Sequence, residues 1–379
     1  MPITAGRAAM VKQLCISSDS HIVEPPELFE PLKKRFGDRA PRIIDTEDVG
    51  PRLDLGNGQL GIAIAGFLQA GTDFGSPEAL EMRKKGYELA RPGVYDIAAR
   101  LEDQDLDGVD AEVLYPSLIF NVYQIEDLDI LKATFASYND WVTDYVSGAP
   151  DRLFGLGCVQ LYDLDQAIDE MARIKKDGHV GVSIPATAPP SRPYSDPWYD
   201  KFWAAAQDMR MPLAMHIFTG ATPNHGLPNS HAGYALAFCG IAFTVADLIH
   251  SGVCERFPGL RFVVTEFETG WTAHALERMD WVYKRRGGAR HYPAIPNKPS
   301  HYWRQNFRIT FEDDPIGIMT RDKIGAETLL WGSDYPHGDS VFPDSQGVLD
   351  RIMADCTPEE RYRMTAKNVV DLYGLPFEA

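Results

Sequence analysis

Residues 13–30 read QLCISSDSHIVEPPELFE. An apolar run, Leu14 to Ile16, passes into Asp19-Ser20-His21 and stops at a double proline, Pro25-Pro26. On a strand, residues two apart point to the same side, so Asp19 and His21 face one way together. A carboxylate and an imidazole at the end of a buried strand make half of a metal site. Taken alone, the pair is more often a loop or helix-cap feature than a ligand pair. The decision depends on what the other apolar runs end on.

Seven further runs of this kind follow: 111–117, 153–161, 180–186, 211–217, 260–266, 307–313 and 328–334. They are short, rich in β-branched residues and apolar nearly throughout, as strands buried on both faces are. Amphipathic stretches separate most of them. In 163–176, Leu164, Ile168, Met171 and Ile174 recur at helical spacing, and 196–209 opens on Asp196-Pro197, a helix-entry pair. The stretch 269–285 is a third. Eight strands joined by crossover helices predict an α/β fold, a (β/α)8 TIM barrel, in preference to a doubly wound open sheet.

Residues 22–95 interrupt the alternation and are rich in proline, glycine and charge. They predict a cap inserted after the first strand of one barrel domain spanning 1–379, with a hairpin near 51–66 and a helix near 77–89. The chain closes on helices at 345–356 and 357–374, the second opened by Thr357, Pro358 and a capping-box Glu360.

Barrels of this type carry their chemistry at the C-terminal strand ends. Run one ends on Asp19 and His21, run five on His216, run six on Glu266 and run eight on Asp334. Mixed imidazole and carboxylate donors suit one divalent ion, zinc first, with manganese or magnesium as alternatives. His225, His231 and His337 fall in loops after runs five and eight and are candidate pocket residues. Phe67, Phe74, Tyr87, Phe120 and Tyr123 would suit a flat aromatic substrate.

Bulk properties narrow the partners. The 379 residues carry a formal charge of -17, which disfavours nucleic acid and anionic membranes. Five cysteines, none in a CxxC pair, fit a reduced cytoplasmic protein. The N-terminus shows no signal-peptide pattern, and no apolar run is read as a membrane span.

The ordered set DSHIVEPPELF, RLEDQDLDGVDAEVLYPS, YNDW, MPLAMHI, SGVCERFPGLRFVVTE with GW beyond it, and WGSDYPH resembles the amidohydrolase-related family. That family contains aminocarboxymuconate-semialdehyde decarboxylase and metal-dependent, non-oxidative decarboxylases of hydroxybenzoates. The resemblance runs from Ser17 to Tyr373. It implies a distorted barrel with one metal held by Asp19, His21, His216 and Asp334, and self-association into a dimer or larger assembly. Many members carry a proton-transferring histidine after strand six, where this chain has Glu266.

The expected substrate is therefore a small molecule, an aromatic or enol carboxylate, and the expected reaction is loss of CO2. Asp334, Glu266 and His216 are the candidate catalytic residues. Hydrolysis of a small ester, lactone, amide or carbon–carbon bond by a metal-activated water uses the same residues and is the alternative. A non-catalytic binding barrel is a third reading, disfavoured by the intact donor set.

Overall fold

The computed structural model describes residues 13–56, 58–73, 75–220 and 231–378. Strand β1 (Ile16–Ile22) is buried at every position. After Pro25 the chain leaves the barrel and forms a small antiparallel sheet of β2 (Arg42–Thr46), β3 (Gly50–Asp54) and β4 (Leu60–Ala63). The expected hairpin is β3 and β4. Strand β2, RIIDT, was not expected, because two charged residues in five mask its alternation. The helix Pro77–Lys85 follows, capped by the Ser76 side chain, and a 3-10 turn carries it on to Leu89.

The helix Ile97–Asp107 leads into β5 (Ala111–Pro116), and the chain then continues through β6 (Leu153–Cys158), β7 (Gly181–Pro185), β8 (Leu213–His216), β9 (Phe262–Thr265), β10 (Phe307–Phe311) and β11 (Leu329–Trp331). All eight apolar runs are strands. They pair in parallel in the order β1-β5-β6-β7-β8-β9-β10-β11, so each neighbours the next in sequence. That order makes a barrel and excludes the doubly wound sheet. Helices such as Leu164–Lys176 pack outside, with Leu164, Ala167, Met171 and Ile174 turned inward.

The barrel closes irregularly. Among the described residues no backbone ladder joins β11 to β1, and side chains hold the seam. The Ser18 hydroxyl donates to the Trp331 carbonyl (2.7 Å), and the Ser17 hydroxyl accepts the Ser333 N–H (2.9 Å). Further along, the Asp334 N–H donates to the Asp19 carbonyl (2.9 Å) and the His21 N–H to that of Tyr335 (2.6 Å). The run of serines in the opening stretch is thus seam chemistry. Gly332 lies so close that a Cβ there would stand 2.4 Å from Asp19 Cβ.

Ala232–His250, at a mean hydropathy of 1.8, is long and apolar enough by composition to count as a candidate membrane span. In the fold it is two helices, His231–Ala235 and Phe238–His250, and Ile241, Val245, Leu248 and Ile249 of the second are buried in the core.

Candidate metal centre and active site

Asp19 and His21 on β1 are fully buried, as is His216 (2% exposed) at the end of β8. Glu266 follows β9 immediately, and Asp334 is the third residue after β11. Their functional atoms converge. His21 Nε2 lies 3.2 Å from His216 Nε2, 3.2 Å from Asp334 Oδ1, 3.7 Å from Asp19 Oδ1 and 3.8 Å from Glu266 Oε2. His216 Nε2 lies 3.1 Å from Glu266 Oε2 and 3.8 Å from Asp19 Oδ1.

Tautomers follow from the other ring nitrogens. His21 Nδ1 meets the Pro116 carbonyl at 2.9 Å and His216 Nδ1 meets that of Ile217 at 3.0 Å. A carbonyl only accepts, so each Nδ1 carries the hydrogen and each Nε2 presents a bare lone pair. Two bare lone pairs 3.2 Å apart repel unless something positive lies between them. Asp19 Oδ1, Glu266 Oε2 and Asp334 Oδ1 are buried and have no hydrogen-bond partner among the described residues. Unpaired buried acceptors are costly, and five in one place call for a cation.

The electrostatics agree. Burial lowers the pKa of both imidazoles, that of His21 strongly, with the His337 and His216 charges adding to the effect on His21. Burial raises all three carboxyls: Asp19 to about 7, Glu266 and Asp334 well above the usual carboxylate range. A divalent ion compensates such a cluster and displaces protons from the carboxyls that bind it. Two overlapping donor sets, Asp19-His21-His216 and His21-Glu266-Asp334-His337, each have their ligand atoms within 4.8 Å of one another, a spread that fits one ion.

Local backbone strain accompanies the site. Glu266 (φ 61°), Asp334 (φ 56°) and Phe218 (φ 63°) occupy the left-handed region that side chains other than glycine rarely adopt. All three follow strand ends at the mouth, where such strain concentrates.

Neighbouring groups hold the donors in place. Thr310 Oγ1 on β10 donates to Asp19 Oδ2 (3.0 Å), leaving Oδ1 for the centre. His337 Nδ1 donates to Asp334 Oδ2 (3.0 Å), its Nε2 pairs with the Ser117 hydroxyl (3.0 Å), and its ring lies 3.9 Å from that of His21. Arg100 pairs with Glu112 (2.6 Å) and donates to the His21 carbonyl (2.8 Å), which accounts for two charged residues of the 100–117 segment. Glu24, also buried, accepts the N–H groups of Ser117, Leu118 and Ile119 and so fixes the loop after β5.

A cavity of about 320 Å³ opens beside the donors. Phe67, Phe120 and Phe218 supply apolar walls, and Ile62 and Ala63 of the inserted segment cover it. The Phe120 ring lies 4.3 Å from the His216 ring. Glu266 lines this cavity, whereas Asp19 and Asp334 do not.

The structure thus brings Asp19, His21, His216, Glu266 and Asp334 to one point. His337 lines the cavity and is also the orienting partner of Asp334. His225 lies outside the described residues, and of His231 only the backbone is described. Phe67 and Phe120 line the cavity, as expected. Tyr87 and Tyr123 serve packing: their hydroxyls donate to the carbonyls of Glu24 (2.6 Å) and Ser183 (2.8 Å). Phe74 lies outside the described residues. Thr310, Glu24 and Gly332 were not foreseen. Gly332 had a signal, a small residue beside an aspartate in WGSD; buried Thr310 and Glu24 had none that separates them from ordinary core and loop residues.

Comparison with known proteins gives the same picture. The chain is 24% identical over 230 residues to a gamma-resorcylate decarboxylase of Polaromonas sp. (strain JS666), covering 57% of this chain and 69% of that one. Its fold matches that of an amidohydrolase from Mycobacterium avium subsp. paratuberculosis with a TM-score of 0.77 at 19% identity, covering 96% of this chain and all (100%) of the other. It also matches a dihydroxybenzoic acid decarboxylase from Polaromonas sp. JS666, solved with manganese and the inhibitor 2-nitroresorcinol, with a TM-score of 0.68 at 18% identity and coverage of 97% and 98%. The amidohydrolase family model matches residues 98–375. Because that span takes in every barrel strand from β5 to β11, the chain belongs to the amidohydrolase family.

Proposed function

We propose that the protein is a metal-dependent, non-oxidative decarboxylase of a small phenolic, hydroxybenzoate-like acid. One observation carries this reading: five unpaired donors converge beside an aromatic-walled cavity, and of the three carboxyls only Glu266 opens onto it. The gamma-resorcylate decarboxylase relative puts decarboxylation ahead of hydrolysis.

In this reading Asp19, His21, His216 and Asp334 hold one divalent ion. When bound, the ion supplies a template and Lewis acid for the substrate's carboxylate and adjacent hydroxyl. Mixed nitrogen and oxygen donors accept zinc and manganese alike. Manganese in the Polaromonas structure moves it ahead of the zinc expected from ligand types. Phe67 and Phe120 pack against the ring, and the inserted segment keeps water out.

Glu266 takes the place of the family's histidine. Burial raises its carboxyl well above the usual carboxylate range, which favours the proton-carrying form that donation requires. That proton passes to the ring carbon bearing the carboxylate. The bond from that carbon to the carboxylate then breaks, its electron pair returns to the ring, and CO2 leaves. Solvent restores the proton on Glu266. Asp334, tied to His337 and not part of the cavity wall, positions and does not deliver. Self-association and a cytoplasmic location stay within the proposal, and light scattering tests the first.

The test is incubation of metal-loaded protein with a panel of hydroxybenzoates, lactones and aryl amides, following CO2 and product mass together. CO2 from a hydroxybenzoate is the expected result. A product heavier by one water would make the protein a hydrolase.

A further inference from the structure

The charge of the cavity wall constrains the far end of the substrate. Its acidic side chains are Glu266 and Asp339, and no lysine or arginine lines it among the described residues. Residues 221–230, ATPNHGLPNS, contain neither type. A bound divalent ion provides compensation for one substrate carboxylate. A second carboxylate would meet aromatic rings and a like charge, with no cation to pair with.

Two polar groups of the wall bear on what the ring can carry. Asn121, on the turn Ile119–Gln124 after β5, is 8% exposed and lines the cavity; among the described residues its amide has no hydrogen-bond partner. A buried amide of this kind is satisfied by a ligand group that donates and accepts, as a hydroxyl does. Asp339 stands at the rim, where its Oδ2 accepts from the Tyr234 hydroxyl (2.7 Å). The Tyr234 ring stacks on Phe218, 5.8 Å between centroids. The rim is therefore an aromatic slot carrying an acceptor and a negative charge.

We propose that this site selects phenolic acids with a single carboxylate and an uncharged far end, that it rejects diacids, and that Asn121 and Asp339 are the residues that impose the choice. The inference rests on the decarboxylase reading for the end bound at the metal, and on the cavity wall for the other end. Asn121 binds a ring hydroxyl directly, while Asp339 acts across the mouth through its charge.

The test uses two inert phenols whose nitro group stands in for the reacting carboxylate. 2-Nitroresorcinol has an uncharged far end, and 4-hydroxy-3-methoxy-5-nitrobenzoic acid carries a carboxylate there. Calorimetry on manganese-loaded protein is expected to show the first binding about tenfold or more tighter. Asp339→Asn keeps a partner for Tyr234 while removing the charge, and is expected to narrow the ratio severalfold. Asp339→Lys is expected to reverse it. Asn121→Ala is expected to weaken 2-nitroresorcinol about tenfold with metal content unchanged. Equal or tighter binding of the carboxylate-bearing phenol to the wild type overturns the proposal. So does a ratio indifferent to both Asp339 variants, or failure of both phenols to bind. Selective binding without CO2 release from any phenolic acid would instead overturn the decarboxylase reading and leave the selectivity standing. Equal CO2 release from 2,6-dihydroxybenzoate and the diacid 5-carboxyvanillate would do the reverse.

Discussion

Replacing Gly332 by alanine tests how tightly the barrel seam sets the metal centre. A Cβ at this position would stand 2.4 Å from Asp19 Cβ and 3.1 Å from both its N and O, where ordinary contacts begin at 3.4 Å. The overlap with Cβ is therefore about 1 Å, and the atoms it meets are backbone and Cβ, with no flexible end to swing aside. The strand itself must move. The Asp19 carbonyl also takes the Asp334 N–H at 2.9 Å, so a shift in one donor carries to the other. Overpacking of this kind costs about 1–3 kcal/mol of stability. Metal sites tolerate errors of only about 0.2 Å in ligand distance, so a larger displacement of Asp19 is expected to weaken metal binding by roughly 10- to 100-fold or more. Gly75→Ala, whose Cβ would meet open space, is the matched control. Urea unfolding measures the first quantity, and manganese titration followed by electron paramagnetic resonance the second. If Gly332→Ala binds manganese as the wild type does, the seam does not position Asp19 and the account of the site is wrong.

Four other outcomes are expected. Glu266→Gln should lower turnover by about 10²- to 10⁴-fold while each chain keeps its metal; loss of the metal instead would make Glu266 a ligand. His337→Asn removes the ring that orients Asp334 and should weaken metal binding roughly 10- to 100-fold without unfolding the barrel, as read by titration and circular dichroism. Metal binding at neutral pH should release protons, because burial raises the ligands Asp19, to about 7, and Asp334, above the usual carboxylate range; affinity should then rise with pH, which calorimetry in buffers of different ionisation enthalpy measures. Glu24, raised from 4.5 to about 7 by burial, binds its proton more tightly folded than unfolded. Its contribution is present in full below the unfolded pKa and is lost as pH rises through the folded one, about 3 kcal/mol in all; wild-type stability should fall more than that of Glu24→Gln between about pH 5 and about pH 8 in urea unfolding.

The barrel was legible because its strands are buried on both faces. Runs such as LRFVVTE and TLLWGSD are apolar nearly throughout, and each ends on one ionisable residue that has no reason to be there unless it faces the mouth. Asp19, His21, His216, Glu266 and Asp334 were found by that rule. What escaped it depends on contacts between distant segments. Thr310 supports Asp19 from 291 positions away, and nothing local distinguishes it from any strand threonine. Glu24 follows a strand and precedes a proline pair, the setting of an exposed loop, yet three N–H groups from the turn after β5 hold it in the interior. His337 follows Asp334 by three residues, and the cis Tyr335-Pro336 bond of that turn is not visible in the sequence. Strand β2 needs its partner β3 to be a strand at all.

The central claim is that these residues exchange a carboxylate for a proton on a ring carbon. Incubating manganese-loaded protein in D2O with 2,6-dihydroxybenzoate labelled with carbon-13 in its carboxyl group follows both halves of that exchange. Labelled CO2 and singly deuterated resorcinol are expected in equal amounts, and neither is expected from His216→Ala or after chelation of the metal. A product that keeps its labelled carbon, or labelled CO2 released at the same rate without the metal, would contradict the account.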